Sequence, residues 1–589
     1  MAAVLASSPL QPRKTIVVFS DGTGNSSAKL NKTNVWRLYQ ALDLARPSEE
    51  RSAAGDETQI ALYDDGVGSS GFLPVALLGG AFGFGLKRNV LDLYKFLCRN
   101  YRPGDRIYAF GFSRGAFTIR VLMGFVLKIG LLKYESEHHL AQHVQEAYRE
   151  YRATFKAPLL AGAARWLRDA AIGLWRRLRG TAASPAKVRV EQVEFVGVWD
   201  TVAAYGTPLA EMTRAVDRWI WPLSMPNYVL SPRVRQARHA LALDDERDTF
   251  HPLLWDEVAE AEAVARREVA PMRLRQVWFA GMHSDVGGGY PDDSLSYVSL
   301  DWMMGEAETA GLRFKPRERG DVERGMDPMG PIHDSRSGLA VYYRYQPRKL
   351  SARIEPPDPS TLLMQDPNRE EAHGRLLEVV IHPSVKQRIL YGPDGYAPIT
   401  LPPAFSLDAG PAQPLLAAGS EQVWNSVWRR RITYFFGLAV SSLFVLMPVL
   451  PRSDCGSGLV CLLSPAIDAA GSLLPSFLQP WVRAWAANPG VFAILGLVMF
   501  MTLRLSGALQ RTIDDQMSDV WQRTFGAARG APPEPTGTDR FIQRLRTHGA
   551  YQKFFQQLKW RLAPALFALA FLALVLLAAL LLAHRIASA

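Results

Sequence analysis

Residues Asp105 to Phe117 read DRIYAFGFSRGAF, and no other stretch restricts the chain so tightly. Ile107 to Phe110 is a short β-prone run, and RGAFTIRVLMGFVLKIG after it has helical character. A strand that passes straight into a helix through Gly-x-Ser-x-Gly turns so sharply that the residues two before and two after the serine must lack bulk. Here they are Gly111 and Gly115. Such an elbow lifts the Ser113 hydroxyl clear of the sheet and sets it at the positive end of the next helix, where developing negative charge is favoured. The competing reading is a glycine-bounded turn in which Ser113 is an ordinary helix cap.

Other strand ends carry chemistry as well. Thr15 to Phe19 (TIVVF) reads as a buried strand ending in Ser20-Asp21-Gly22-Thr23-Gly24-Asn25. This loop is expected to offer backbone N–H groups of Gly22 and Thr23, beside that of Arg114, to an oxyanion. A phosphate loop would need a Walker lysine, which is missing. Val193 to Trp199 (VEFVGVW) stops at Asp200, and Leu274 to Ala280 (LRQVWFA) leads into Gly281, Met282 and His283. The order Ser113, Asp200, His283 is that of nucleophile, acid and base, each just past a predicted strand. Asp285 is the rival acid, and could instead fix its loop or bind a cation. Asp21 supports a second enzyme reading, the nucleophile of a metal-dependent phosphatase, but Thr23 stands where that chemistry needs its second acid.

The formal charge of +11 can signal nucleic acid, yet no zinc-finger, RNA-recognition or basic-zipper pattern accompanies it, and no nucleic-acid partner is expected. Arg-rich flanks of membrane spans explain the excess better. Ile432 to Leu450, Ala484 to Leu503 and Leu562 to Ala583 contain no charged residue, and each is near the ~20 residues that cross a bilayer as a helix. Basic residues flank them at Arg429 to Arg431 and across Arg504 to Arg561, whereas 452–483 carries few. This arrangement puts the N-terminal domain in the cytoplasm, with Cys455 and Cys461 on the oxidising side, where they could pair. The N-terminus is too short and weakly apolar for a secretory signal. With three cysteines, no Cys-based zinc site is expected, and His138, His139 and His143 have no matching ligand; no metal or cofactor is expected. Residues 134–186 read as a helical cap insertion. Within it Leu159 to Arg179 forms a basic amphipathic helix, suited to a membrane surface or to packing on the core. Gly71 to Leu86 reads as an apolar flap or a buried turn and helix.

Taken together, FSDGTGN near the start, GFSRGAF, VGVWDTV, WFAGMHSDVGGGY and the later IHPSVKQRILYGPDGYAPITL resemble the α/β-hydrolases that include the phospholipase effectors of bacterial type VI secretion and many uncharacterised bacterial and fungal relatives. The resemblance covers roughly residues 12–405. It implies an α/β-hydrolase-like, mostly parallel sheet, and a serine esterase or lipase acting on phospholipids with Ser113, Asp200 and His283 as nucleophile, acid and base. Residues 406–430 are then a linker and 431–589 a C-terminal α-helical transmembrane region of about three spans. The expected product is a multi-pass protein of a bacterial inner membrane whose partners are membrane lipids, with any link to a secretion machinery open. A reading from another class is a non-catalytic membrane protein whose hydrolase-like domain only binds.

Overall fold

The computed structural model describes residues 13–22, 30–44, 57–66, 80–155, 185–202, 228–350, 353–354, 374–392, 395–402, 404–408, 412–414, 419–449, 458–524, 534–566 and 569. Its strands are β1 (Lys14–Ser20), β2 (Thr58–Asp64), β3 (Arg106–Phe112), β4 (Leu131–Leu132), β5 (Lys187–Val188), β6 (Val193–Trp199), β7 (Val234–Ala242), β8 (Leu274–Phe279), β9 (Val380–Ile381), β10 (Ala404–Leu407) and β11 (Ala412–Pro414). Nine of them form one sheet in the order β11-β10-β9-β8-β7-β6-β3-β1-β2. Every pairing in it is parallel except β10 with β11. β4 and β5 form a separate antiparallel pair.

The central strands are apolar runs because helices cover both faces. Along β1 the side chains alternate between two cores. Ile16 and Val18 face Phe117, Phe125 and Leu93, while Val17 and Phe19 face Val35, Leu38 and Met303. The first layer comes from helices Gly80–Asn100, Arg114–Ile129 and Glu137–Ala153, and the second from Asn34–Ala41 and Ser296–Thr309. Each fully buried aliphatic or aromatic side chain contributes about 1.5–3 kcal/mol, so the sheet is a stiff platform for whatever stands on its edge.

Topology decides where that edge opens. From β1 the chain steps to β2 on one side, then crosses to β3 on the other and continues outward from there through β6, β7 and β8. The direction reverses between β1 and β3, and in open parallel sheets the crevice at the carboxyl ends of such strands is where ligands bind. Ser113 follows β3, and the Asp21-Gly22 turn follows β1.

The C-terminal part departs from the expected segmentation. β10 ends inside, and β11 lies within, the stretch expected to be a linker, extending the sheet, and helix Ser420–Leu446 starts there too. Two helical segments, Ser420–Val449 and Pro489–Thr524, are long and apolar enough to cross a membrane, by length and composition. The second begins later than Ala484, because helix Gln479–Ala487 ends at Asn488, and Pro489, with no N–H to donate, opens a new one. Of the third expected span only 562–566 and 569 are among the described residues, and the amphipathic stretch 159–179 lies outside them. Gly80 to Leu86, read either as part of a flap or as part of a turn and helix, opens helix Gly80–Asn100, in line with the second reading, while 71–79 lies outside the described residues. Cys461 is disulfide-bonded and Cys98 free; Cys455 lies outside the described residues.

The elbow depends on its glycines in a measurable way. A Cβ on Gly115 would stand 2.0 Å from the Ser20 carbonyl oxygen and 2.5 Å from that of Asp21, both backbone atoms that cannot swing away. Gly115→Ala should therefore destabilise the fold by about 3 kcal/mol, read as a lowered urea midpoint at constant m-value. An unchanged midpoint would mean that β1 and the elbow do not meet this closely.

Candidate active site

At the end of β3 the backbone of Ser113 takes φ 58°, ψ −123° before the helix begins at Arg114. This is a left-handed conformation that costs a non-glycine residue roughly 1–3 kcal/mol. The sheet holds it there, since Ser113 N–H donates to the Trp199 carbonyl at 3.0 Å. Next door, β6 ends at Asp200, also at positive φ (36°). His283 opens the short helix His283–Gly287 just past β8.

These three strand ends converge. Ser113 Oγ and His283 Nε2 are 2.8 Å apart, and His283 Nδ1 and Asp200 Oδ2 are 2.5 Å apart. The imidazole lies between Phe112 and Phe250, with ring centroids 4.7 and 5.3 Å away. All three side chains are buried. Burial pushes the His283 pKa below its ordinary value, with the Asp200 carboxylate pulling the other way and Arg247 adding to the depression. A neutral imidazole beside a hydroxyl is a base ready to accept a proton.

Asp200 owes its ionisation to a residue the sequence did not single out. Burial alone would raise its pKa; Arg348 first, then His283, hold it well below the usual carboxylate range. Arg348, with 0% exposure, grips the carboxylate with both terminal nitrogens, Nη1 to Oδ1 at 2.8 Å and Nη2 to Oδ2 at 2.7 Å. The Ala242 N–H completes the shell at 3.0 Å. Nothing local announces Arg348 in the sequence: it follows Pro347 in an irregular segment 148 positions after Asp200.

The other candidates find different places. Asp285 does not reach the His283 ring. Its carboxylate binds His333 Nδ1 at 2.6 Å and accepts the N–H groups of His333 (3.1 Å) and Met282 (2.9 Å), so it ties the loop together. Asp21 is likewise occupied, accepting from Thr33 Oγ1 (2.6 Å), Tyr63 Oη (2.5 Å) and the Gly22 N–H (2.6 Å). That last bond corrects the expectation for Gly22, whose amide is spent on Asp21 rather than offered to a substrate oxygen. Thr23 lies outside the described residues. Arg114 is the first residue of its helix, at the end where the helix dipole is positive. Gly111 and Gly115 sit where the elbow needs them, and a Cβ on Gly111 would lie 2.7 Å from the Gly115 carbonyl oxygen. Among the described residues no three His, Cys, Asp or Glu side chains gather closely enough to hold a metal ion.

The family model described as "T6SS, Phospholipase effector Tle1-like, catalytic domain" matches residues 14–306. A protein of Saccharomyces cerevisiae described as "Uncharacterized protein YEL023C" is 25% identical over 404 residues, which cover 51% of this chain and 58% of that protein. The chain thus spans less than two thirds of that relative's length. A solved structure of an uncharacterized protein from Pseudomonas aeruginosa aligns over 92% of this chain and 77% of its own at 15% identity, with a TM-score of 0.30, too low to carry an argument.

Two measurements separate the roles of these groups. Because the His283 pKa is depressed, the acid limb of kcat/KM for ester hydrolysis should fall below 6.5, activity being lost only once the imidazole protonates. Asp200→Asn should lower kcat by about 10⁴-fold. Asp285→Asn should instead lower the melting midpoint and leave kcat within severalfold. The opposite pattern would make Asp285 the acid.

Proposed function

We propose that this chain, whose residues 14–306 match the catalytic-domain model of the Tle1-like phospholipase effectors, is a membrane-associated serine hydrolase that cleaves ester bonds of phospholipids. The observation that carries this reading is the hydrogen-bonded run from Ser113 Oγ through His283 to Asp200. A metal-dependent reaction at Asp21 gains no support from its surroundings, because that carboxylate is already engaged by three donors.

The chemistry is two-step acyl transfer. His283 Nε2 takes the Ser113 proton as Oγ attacks the ester carbonyl, and Asp200 keeps the other imidazole proton on Nδ1 so that Nε2 is the basic nitrogen. The carbonyl oxygen becomes an oxyanion beside the Arg114 N–H, at the head of its helix. His283 then returns the proton to the departing alcohol, and the same residue activates water to release the fatty acid from Ser113. A lipid substrate fits the rest of the chain. The two apolar helical segments leave Phe436, Leu443, Ile494 and Leu497 exposed, faces that a bilayer would cover.

Ser113→Ala should abolish fluorophosphonate labelling and reduce phospholipid hydrolysis in mixed micelles by more than about 10³-fold, with the melting midpoint unchanged. Labelling that survives in this variant, or a magnesium-dependent activity lost in Asp21→Asn but not in Ser113→Ala, would sink the assignment.

A further inference from the structure

Arg348 stands outside the residues matched by the catalytic-domain model, which ends at 306, yet it makes the shortest ion pair to the buried acid apart from that of His283. What holds Arg348 there is the question that leads beyond the site. Toward the sheet, its guanidinium also donates to the Phe250 carbonyl at 2.6 Å and to that of Ala242. Two residues earlier, Gln346 N–H donates to the Glu246 carbonyl at 2.8 Å.

Its flanks face the other way, onto helix Ser420–Leu446. Lys349 Nζ lies 4.7 Å from the centre of the Trp424 ring, and the Arg430 guanidinium lies 3.9 Å from that of Tyr345. Tyr434 Oη donates to the Tyr342 carbonyl at 2.7 Å. Arg430 also pairs with Glu246 at 3.4 Å, on the loop that carries Arg247 and Phe250. Leu350 is buried in the same cluster as Val423 and Val427. The strap from Tyr342 to Leu350 is therefore clamped between the sheet edge and the root of an apolar helical segment, with Arg348 pointing inward.

We propose that this helix completes the catalytic site: by docking Tyr342, Tyr345 and Lys349 it holds Arg348 on Asp200, so that Arg348 is a positioning residue seated by the C-terminal helices. The inference rests on the serine-hydrolase reading above. Its physical basis is that the regular pairing of the segment between Tyr343 and Leu350 is a single antiparallel bridge, Tyr345 with Arg247. A guanidinium on such a segment stays bidentate only if its neighbours are fixed from outside. Without it, a fully buried carboxylate loses its cation, and protonation becomes the cheaper state.

The test uses the full chain in detergent micelles with a short-chain p-nitrophenyl ester, so that bilayer binding does not enter. Arg348→Lys keeps the charge and loses the fork; kcat should fall at least tenfold with KM unchanged and the acid limb where it stands in the wild type. Arg348→Met leaves the buried Asp200 carboxylate without its cation, so kcat should fall further than in Arg348→Lys. Two of the deciding variants lie on the helix, Trp424→Ala and Tyr434→Phe, and the third, Arg430→Met with Glu246→Gln, removes the ion pair between helix and loop as a unit. Each should lower kcat severalfold at constant KM, with Ser113 labelling by fluorophosphonate slowed in parallel and the circular dichroism spectrum unchanged. Wild-type kcat and labelling rates in all three would overturn the proposal, even if Arg348→Met fails to fold. A wild-type chain that fluorophosphonate does not label at Ser113 would instead overturn the hydrolase reading and this inference with it.

Discussion

The group on which this structure depends most is a carboxylate with no access to water. Asp200 has 0% exposure, and an ionised carboxyl in such a place costs several kcal/mol unless partners replace its hydration. Here each oxygen has two partners, a guanidinium nitrogen on both, the Ala242 N–H on Oδ1 and His283 Nδ1 on Oδ2. Charge, not burial, decides its protonation state. That outcome fixes the imidazole tautomer, which in turn determines that the nitrogen facing Ser113 is the one able to accept its proton.

Two of the three groups stand on strained backbone, Ser113 at φ 58° and Asp200 at φ 36°. Their strands, β3 and β6, are neighbours in register, with Phe112 opposite Trp199, so both residues leave the sheet at the same level. Parallel strands buried on both faces can hold such conformations because the core on either side leaves the chain no other path. The close approach of Gly115 to the Ser20 carbonyl then brings the β1 turn against the elbow, at the point where the strand order reverses.

How much of this could be read in advance follows the range of the interactions. Strands β1, β3, β6 and β8 declared themselves as apolar runs closed by Asp, Gly or Ser, and the glycines at 111 and 115 are demanded by a local turn. The order of Ser113, Asp200 and His283 along the chain is likewise visible in sequence, though their meeting is a tertiary fact. Asp285 is as close to His283 in sequence as any acid, and only the direction of its side chain, toward His333, separates it from Asp200. Gly22 looked like a donor because glycine-rich turns expose amides, but the preceding aspartate captures its N–H. Arg348 gave no signal, since burial of an arginine is set by partners far along the chain. The short strands β9 to β11 were hidden for a related reason, each being stabilised by its neighbour in the sheet rather than by its own two to four residues.

The helical region is more than an attachment to the sheet. Trp278 of β8, Ile381 of β9 and Phe405 of β10 share one buried cluster with Val423 and Val427 of one long helix and Ile513, Met517 and Trp521 of the other. The Trp521 indole N–H reaches the Pro398 carbonyl at 3.1 Å. Removing these helices would therefore expose an apolar sheet end as well as free the strap that carries Arg348. A tether joined only by a flexible linker would transmit nothing to the site; a packed root transmits position, because close-packed side chains move together or not at all. The helix that carries the exposed Phe436 and Leu443 is thus joined at its root, through Val427, Leu350 and Arg348, to the oxygen atoms of Asp200.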